Sequence, residues 1–128
     1  MPREVKIQIR FNDLDGYGHV NNSVYLSYME IARTEAYSDI FNRSIERGLW
    51  FILTKAEVQY KKFLKLEDTA IVKLWISEAK GALFTFNYEI HNGGGVIFAT
   101  GKTTHAVYDA AKQCPVRINQ DIINALES

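Results

Sequence analysis

Two aspartates, Asp13 and Asp15, lie in a turn rich in glycine and asparagine, a few residues ahead of a segment whose apolar residues recur at helical spacing. A carboxylate can act on a carbonyl compound as a nucleophile or as the base that activates water. The first N–H groups of a helix lack intrahelical partners and carry partial positive charge, so they can stabilise an oxyanion. The spacing therefore predicts a place where a nucleophile or base meets an oxyanion site.

A tight turn and a capped helix must position these groups. Gly16 and Gly18 permit backbone conformations that a side chain would exclude, and Asn21 or Asn22 supplies a side-chain oxygen for the N-cap. The apolar spacing predicts a helix over 22–42 whose first turns are apolar on most of the circumference, as is typical of a central helix. Its polar strip consists of Ser27, Glu30, Arg33 and Thr34.

The remaining segments predict an antiparallel sheet. Residues 3–11 alternate between apolar and polar types, as in a half-buried strand, and four longer alternating segments follow between residues 54 and 108. The connections at Lys80-Gly81 and Asn92–Gly95 are short, so the strands that they join must be antiparallel. Gly101 interrupts the longest segment and indicates a bulge or a close backbone contact.

One helix has to cover the apolar face of this sheet. A short terminal helix begins near Asn119, so the 22–42 helix is the only large element available for that face. We therefore expect an α+β fold in which a five-stranded antiparallel sheet wraps around one long central helix. No linker, repeat or shift in composition suggests a boundary, and residues 1–128 are interpreted as a single domain.

Charge and composition disfavour several classes of function. Lys plus Arg equals Asp plus Glu, 15 each, so no net field attracts nucleic acid or an anionic membrane. No apolar run approaches the ~20 residues that span a bilayer, and the first residues lack the apolar centre of a signal peptide. Together with the single cysteine, Cys114, this predicts a cytoplasmic protein. The three histidines, His19, His91 and His105, show no ligand spacing, so no metal site is expected.

With this layout, the run from Asp15 to Tyr25, Asp-Gly-Tyr-Gly-His-Val-Asn-Asn-Ser-Val-Tyr, resembles the hot-dog-fold acyl-CoA thioesterases. Within them it is similar to the 4-hydroxybenzoyl-CoA thioesterase group. The run Tyr-Lys-Lys-Phe at 60–63 and the acid pair Glu67-Asp68 extend the likeness over nearly the whole chain. Glu67 stands where such proteins usually carry glycine, in a turn between strands.

The resemblance implies a set of site residues. Asp15 matches the catalytic carboxylate, which either attacks the thioester carbonyl or activates water. A backbone N–H near Asn22 would polarise that carbonyl, and His19, Ser23 and Tyr25 are the further candidates for forming the oxyanion site or orienting the substrate. The alternatives are that His19 only fixes the loop by a hydrogen bond and that Tyr25 packs in the core. The reaction would need no metal or redox cofactor.

The resemblance also implies partners. The substrate would be an acyl-CoA or an acyl-carrier-protein thioester, and Lys61 and Lys62 could hold the CoA phosphates because that ligand is polyanionic. Lysines at a strand end are more commonly only solvated. Such enzymes pair two subunits edge to edge, so we expect a homodimer or homotetramer with active sites at the subunit interface.

Two other functions share this fold, a non-catalytic acyl-CoA-binding or sensing module and an enoyl-CoA hydratase. A pure binder gains nothing from an anion beside the thioester, and the four-residue spacing of Asp15 and His19 fits the thioesterase motif better than that of a hydratase. Asp13 is interpreted as a structural acid. Glu30 and Arg33 are interpreted as an exposed or interface salt bridge rather than as catalytic groups.

Overall fold

The computed structural model describes all 128 residues. The strands are β1 (Arg3–Ile7), β2 (Leu49–Tyr60), β3 (Ala70–Lys80), β4 (Leu83–His91), β5 (Ile97–Asp109) and β6 (Cys114–Pro115). The helices are α1 (Asn22–Ala36), α2 (Ser38–Glu46) and α3 (Gln120–Glu127), and a 3-10 turn covers Phe11–Asp13.

The five long strands form one antiparallel sheet in the order β1-β3-β4-β5-β2, and the two-residue β6 pairs with the end of β5. A curled antiparallel sheet with helices against it is the hot-dog arrangement, so the predicted α+β fold is confirmed. The twelve-residue β2 lies at one edge of the sheet, where one side of its backbone is unpaired.

Helix α1 is the central helix of the prediction. Its residues Tyr25, Tyr28, Met29 and Ala32 are all at most 2% exposed. The helix approaches the sheet most closely at Gly101 of β5, where an added Cβ would lie 2.7 Å from Cε of Met29. Glycine at this position therefore leaves the space that the Met29 thioether occupies, which explains the interruption seen in the sequence.

Three predicted element boundaries are wrong. The helix expected over 22–42 ends at Ala36, because Tyr37 leaves helical geometry with ψ at 26°, and α2 then continues through Asn42 to Glu46. The strand expected over 3–11 stops at Ile7, and the chain then turns at the 3-10 segment Phe11–Asp13. β2 begins at Leu49 rather than near Thr54, because a continuous apolar run masks the alternation there.

The polar strip of α1 also differs from the prediction at one residue. The side chain of Glu30 is 68% exposed and lies 3.6 Å from the Arg33 guanidinium, as an ion pair on the strip should. Arg33 itself, however, is only 9% exposed and points towards the sheet. None of the three helices combines the length and apolar character needed to cross a bilayer.

Candidate active site

A cleft of about 680 Å³ opens between the turn that precedes α1 and the segment that follows β2. It brings together six of the seven residues that the sequence singled out, the exception being Ser23. The lining residues are Asp15, Tyr17, His19, Val20, Asn22, Tyr25, Tyr60, Lys61, Lys62 and Phe63.

The Asp15 carboxylate is anchored by one oxygen only. The backbone closes a tight turn in which the Asp15 N–H donates to the His19 carbonyl (2.8 Å) and the Gly18 N–H donates to the Asp15 carbonyl (3.1 Å). Oδ1 of Asp15 accepts from the N–H groups of Tyr17 (2.8 Å) and His19 (3.3 Å). Oδ2 makes no hydrogen bond within the chain, so it is available to a water molecule or a substrate carbonyl in the cleft.

The start of α1 supplies an unused donor beside this carboxylate. Asn21 caps the helix by accepting from the Ser23 N–H (3.1 Å) and also from the Ser23 hydroxyl (3.2 Å). The Asn22 N–H makes no hydrogen bond within the chain, and Asn22 lines the cleft. Both polar groups of Ser23 are therefore committed to the cap, whereas the Asn22 amide can donate to a bound oxyanion.

The strand and loop on the far wall are tied to the helix start by two tyrosines. The Tyr60 hydroxyl donates to the Asn22 carbonyl (2.8 Å), and the Tyr25 hydroxyl accepts from the Leu64 N–H (3.2 Å). Burial raises the pKa of Tyr25, so its hydroxyl stays protonated. The rings of Tyr25 and Tyr60 also meet edge to face, with centroids 4.9 Å apart.

Asp13 is buried, holds the turn in place through hydrogen bonds and does not line the cleft. Only 2% exposed, it accepts from the Tyr28 hydroxyl (2.6 Å), the Arg10 N–H (2.9 Å) and the Arg10 guanidinium (3.0 Å). Burial raises the pKa of Asp13, but the hydrogen bonds from Tyr28 and Arg10 outweigh that effect and hold the pKa below its usual range. Its own carbonyl accepts from the Asn21 N–H (2.8 Å), which fixes the helix cap.

His19 and the two lysines form the outer part of the cleft. The His19 ring stacks on Phe63, with centroids 4.1 Å apart and planes 9° from parallel. The backbone N–H groups of Lys61 and Lys62 both donate to the Phe98 carbonyl (2.8 and 3.0 Å), so the start of this segment is fixed while both lysine residues are exposed. The lining of the cleft therefore includes a half-buried carboxylate, Asp15, and two exposed cations.

Sequence reasoning missed Tyr17, Val20 and Tyr60 as parts of the cleft. Tyr60 belongs to the Tyr-Lys-Lys-Phe run that the resemblance had singled out, so a signal for it existed. Tyr17 and Val20 lie within the run from Asp15 to Tyr25 that carried the resemblance, but their residue types are ordinary for a loop and gave no reason to single them out. Nowhere in the chain do three His, Cys, Asp or Glu side chains converge so that they could hold a metal ion.

Comparison with known proteins identifies relatives of the chain. A family model described as the thioesterase-like superfamily matches residues 9–126. The acyl-CoA thioesterase YbgC of Haemophilus influenzae is 26% identical over 120 residues, which is 91% of this chain and 88% of that protein.

Solved structures give the same result for the fold. A thioesterase from Thermus thermophilus, crystallised with coenzyme A and Zn, superposes with a TM-score of 0.85 at 28% identity, over 96% of this chain and 90% of that one. The DHNA-CoA thioesterase of Staphylococcus aureus superposes with a TM-score of 0.87 over 97% of this chain and 87% of that one, and at 23% identity the likeness concerns the fold.

Proposed function

The chain belongs to the thioesterase-like superfamily, and from that premise we propose that it hydrolyses acyl-CoA thioesters in the cleft at the start of α1, with Asp15 as the catalytic carboxylate. The observation that carries this proposal is that one cleft contains both the Asp15 carboxylate, with only one of its oxygens hydrogen-bonded, and the Asn22 N–H, which has no partner within the chain. Hydrolysis yields a free acid and the CoA thiol.

Asp15 is suited to the attacking role by its hydrogen bonds. The Tyr17 and His19 N–H groups hold Oδ1 in place, which leaves Oδ2 to deprotonate a water molecule or to attack the carbonyl carbon. In the second route an acyl-aspartyl anhydride forms as the thiolate leaves, and water then hydrolyses it. Both routes begin from the same position of the carboxylate.

The developing negative charge on the carbonyl oxygen has a donor in place. The Asn22 N–H lies at the first helical residue of α1, where the partial positive charge of the helix end adds to the hydrogen bond. The Tyr60 hydroxyl bond to the Asn22 carbonyl holds the start of the helix in a fixed orientation. His19 and Tyr25 would orient the substrate from the two sides of the cleft.

CoA is favoured as the carrier because of the charge at the rim. Lys61 and Lys62 are exposed beside the cleft and can approach the pyrophosphate and the ribose phosphate of CoA. A phosphopantetheine on an acyl-carrier protein has the same thioester and one phosphate. Carrier-protein thioesters are therefore the alternative substrates within the same reaction.

A homodimer would complete the cleft. β2 is a twelve-residue edge strand that exposes Trp50, Ile52, Leu53 and Tyr60 by 42–48% each. Such an edge pairs readily with a second strand, and an apolar edge of this length needs cover. Pairing of two β2 strands would bring a second subunit next to Tyr60 and the cleft, with further stacking of dimers into tetramers as the larger assembly.

The test is thiol release from a panel of acyl-, branched-chain and aryl-CoA esters and from matched carrier-protein thioesters. We expect kcat/KM to fall by at least about a hundredfold in Asp15→Asn, the loss typical of a disabled base or nucleophile. Asp39→Asn, an exposed carboxylate on α2, is the matched control and should keep the wild-type rate.

Other outcomes would replace the proposal with a named alternative. Tight binding of CoA esters without thiol release would identify a sensing module, and water addition to an enoyl-CoA would identify a hydratase. Full activity in Asp15→Asn would remove Asp15 from the reaction. Full activity in His19→Ala would reduce His19 to a residue that packs the loop against Phe63.

A further inference from the structure

A second cleft, of about 300 Å³, lies between α2 and α3. Two of its lining residues, Ile40 of α2 and Ile122 of α3, are buried apolar residues of the core. The others are mostly polar or charged, and this polar set consists of Arg43, Ser44, Arg47, Asp121 and Asn124. The polar groups therefore surround a small space whose inner side is closed by the core.

This second cleft is separate from the catalytic cleft. The two share no lining residue. Arg47 lies two residues ahead of β2, and the last residue of that strand, Tyr60, lines the catalytic cleft. The strand extends for about 35 Å between these ends, at about 3.3 Å per residue. A molecule bound between α2 and α3 therefore does not occupy the place of the thioester.

Arg43 and Arg47 present two guanidinium groups that no carboxylate in the chain neutralises. They are four residues apart on α2, so they are neighbours on one face of the helix and repel each other. Neither takes part in an ion pair. The one hydrogen bond of the two side chains runs from Nε of Arg43 to the backbone carbonyl of Asp39, at 3.4 Å. An arginine has five N–H donors, so most of these donors are free to bind an anion.

Ser44 adds a buried hydroxyl to the same wall. The residue is only 3% exposed, and it lines the second cleft directly after Arg43 in the chain. Its hydroxyl makes no hydrogen bond within the chain, and its oxygen is not among the fully enclosed polar atoms that lack a partner. Buried polar groups are nearly always hydrogen-bonded. The hydroxyl therefore faces the cleft and lacks a partner that a bound molecule would supply.

The opposite wall, on α3, carries an acceptor and a donor. Oδ1 of Asn124 accepts from Nε2 of Gln120 (2.8 Å), which leaves the Asn124 NH₂ group free to donate. Asp121 lines the cleft without an ion pair to either arginine. A carboxylate accepts hydrogen bonds from hydroxyl groups but repels another anion. The two walls therefore suit two different parts of one molecule.

These groups match a phosphate that is attached to a hydroxylated carbon skeleton. Guanidinium groups bind phosphate through parallel charge-assisted hydrogen bonds, which the two arginines can provide together. The cleft volume of about 300 Å³ equals the share of about ten water molecules, at about 30 Å³ each, which accommodates a phosphate and a pentose. An inorganic phosphate would meet the same arginines but would gain nothing from Asp121.

We propose that Arg43, Ser44 and Arg47 bind the phosphate of a sugar phosphate, and that Asp121 and Asn124 bind its hydroxyl groups. The second cleft is then a ligand site in addition to the proposed active site, and it does not depend on the thioesterase reaction.

The first test is binding to the full chain, followed by isothermal titration calorimetry and by the melting temperature, with ribose 5-phosphate, inorganic phosphate and ribose. We expect a Kd below about 1 mM for ribose 5-phosphate and an affinity at least about tenfold lower for inorganic phosphate, because only the sugar phosphate reaches Asp121. Bound ligand should also raise the melting temperature. No binding beyond the effect of chloride at equal ionic strength, or equal affinity for the two phosphates, would overturn the proposal.

The second test changes the residues of the site. Arg47→Gln should weaken ribose 5-phosphate binding by about 10- to 100-fold, since it removes charge-assisted hydrogen bonds, and Ser44→Ala by about 3- to 10-fold. Arg117→Gln, an exposed arginine outside the lining, is the matched control and should bind as the wild type does. Unchanged affinity in both Arg43→Gln and Arg47→Gln would show that these arginines only balance the negative end of α2.

Asp121→Ala separates the two parts of the ligand. It should bring the affinities for ribose 5-phosphate and inorganic phosphate closer together, because it removes both the acceptor for the sugar and the repulsion of the free anion. An unchanged ratio of the two affinities would exclude Asp121 from the site and overturn the assignment to a sugar phosphate.

These results are separable from those on the proposed function. Asp15→Asn should bind ribose 5-phosphate with wild-type affinity, and the double variant Arg43→Gln/Arg47→Gln should hydrolyse CoA esters with the wild-type kcat/KM. If Ser44→Ala does not fold, the arginine variants still decide the question, because both arginines are exposed.

Discussion

The hydrogen bond between Tyr28 and Asp13 should be a main support of the turn that carries Asp15. Asp13 is 2% exposed, and the Tyr28 hydroxyl donates to it at 2.6 Å. In Tyr28→Phe the carboxylate keeps its bonds to Arg10 but loses this donor. A buried hydrogen bond to a charged group contributes about 1.5–3 kcal/mol, so we expect the free energy of unfolding to fall by about 2 kcal/mol. The melting temperature should fall by roughly 5–10 °C.

The pH dependence of this loss identifies its cause. The folded-state pKa of Asp13 lies below the unfolded value, so its ionised form contributes stability above the unfolded pKa, and that contribution disappears as pH falls through the folded pKa. The difference in unfolding free energy between wild type and Tyr28→Phe should be largest near neutral pH. It should shrink in acid, as the pH falls below the ordinary carboxyl pKa of about 3.9 and through the lower folded-state pKa of Asp13.

Urea denaturation of both proteins at several pH values measures this difference. Tyr108→Phe is the matched control, because its hydroxyl donates to the Gln113 carbonyl at an exposed position, and it should cost less than about 0.5 kcal/mol. An equal loss in the two variants, or a Tyr28→Phe loss that does not change with pH, would refute the role of the Asp13 bond.

Three further outcomes follow from contacts described above. Gly101→Ala should destabilise the protein by about 1–3 kcal/mol in denaturant titrations, because the new Cβ would lie 2.7 Å from Met29 Cε and 3.0 Å from the Glu57 carbonyl. If the clash is with the thioether, the losses caused by Gly101→Ala and Met29→Ala should add to more than the loss in the double variant. Burial, and secondly the charge of Arg33, lower the pKa of His105 to about 3. The free energy of unfolding should therefore decline as pH falls from about 6.5 towards that value. His105→Phe should reduce this dependence of the free energy of unfolding on pH between about pH 4 and 6. Phe63→Ala should leave the melting temperature within about 2 °C of wild type, because the side chain is 70% exposed. The same variant should lower kcat/KM for CoA esters by about tenfold, because the His19 ring loses the ring on which it stacks. An unchanged kcat/KM would show that the stack has no role.

Local patterns in the sequence were sufficient to predict the sheet, and the family resemblance singled out six of the residues that line the cleft. Alternation fixes which face of each strand is buried, and short turns fix antiparallel pairing, so the five long strands could be anticipated. The residues from Asp15 to Tyr25 are consecutive in the chain, so they come close together in space once the turn and the start of α1 have formed. The lysines at 61 and 62 joined them only because β2 runs back to the helix start.

Features that depend on tertiary packing could not be predicted in the same way. The break at Tyr37 has no proline or glycine to mark it. Tyr37 is 1% exposed and its ring meets that of Phe86 with centroids 5.1 Å apart, contacts that the local sequence pattern does not show. Arg33 occupied a polar position of the helical pattern, so its burial over Tyr88 was not foreseen. His105 lay within an alternating strand, where a histidine on the apolar face looks the same in sequence as one facing water.

The hydrogen bond from Tyr60 to the Asn22 carbonyl joins the last residue of the edge strand to the residue that opens α1. Any shift of the end of β2 should therefore also move the Asn22 N–H, which is expected to donate a hydrogen bond to the carbonyl oxygen of the substrate. If two chains associate through β2, assembly and turnover become thermodynamically linked: dilution into separate subunits should weaken substrate affinity, and saturating substrate should tighten subunit association by the same factor.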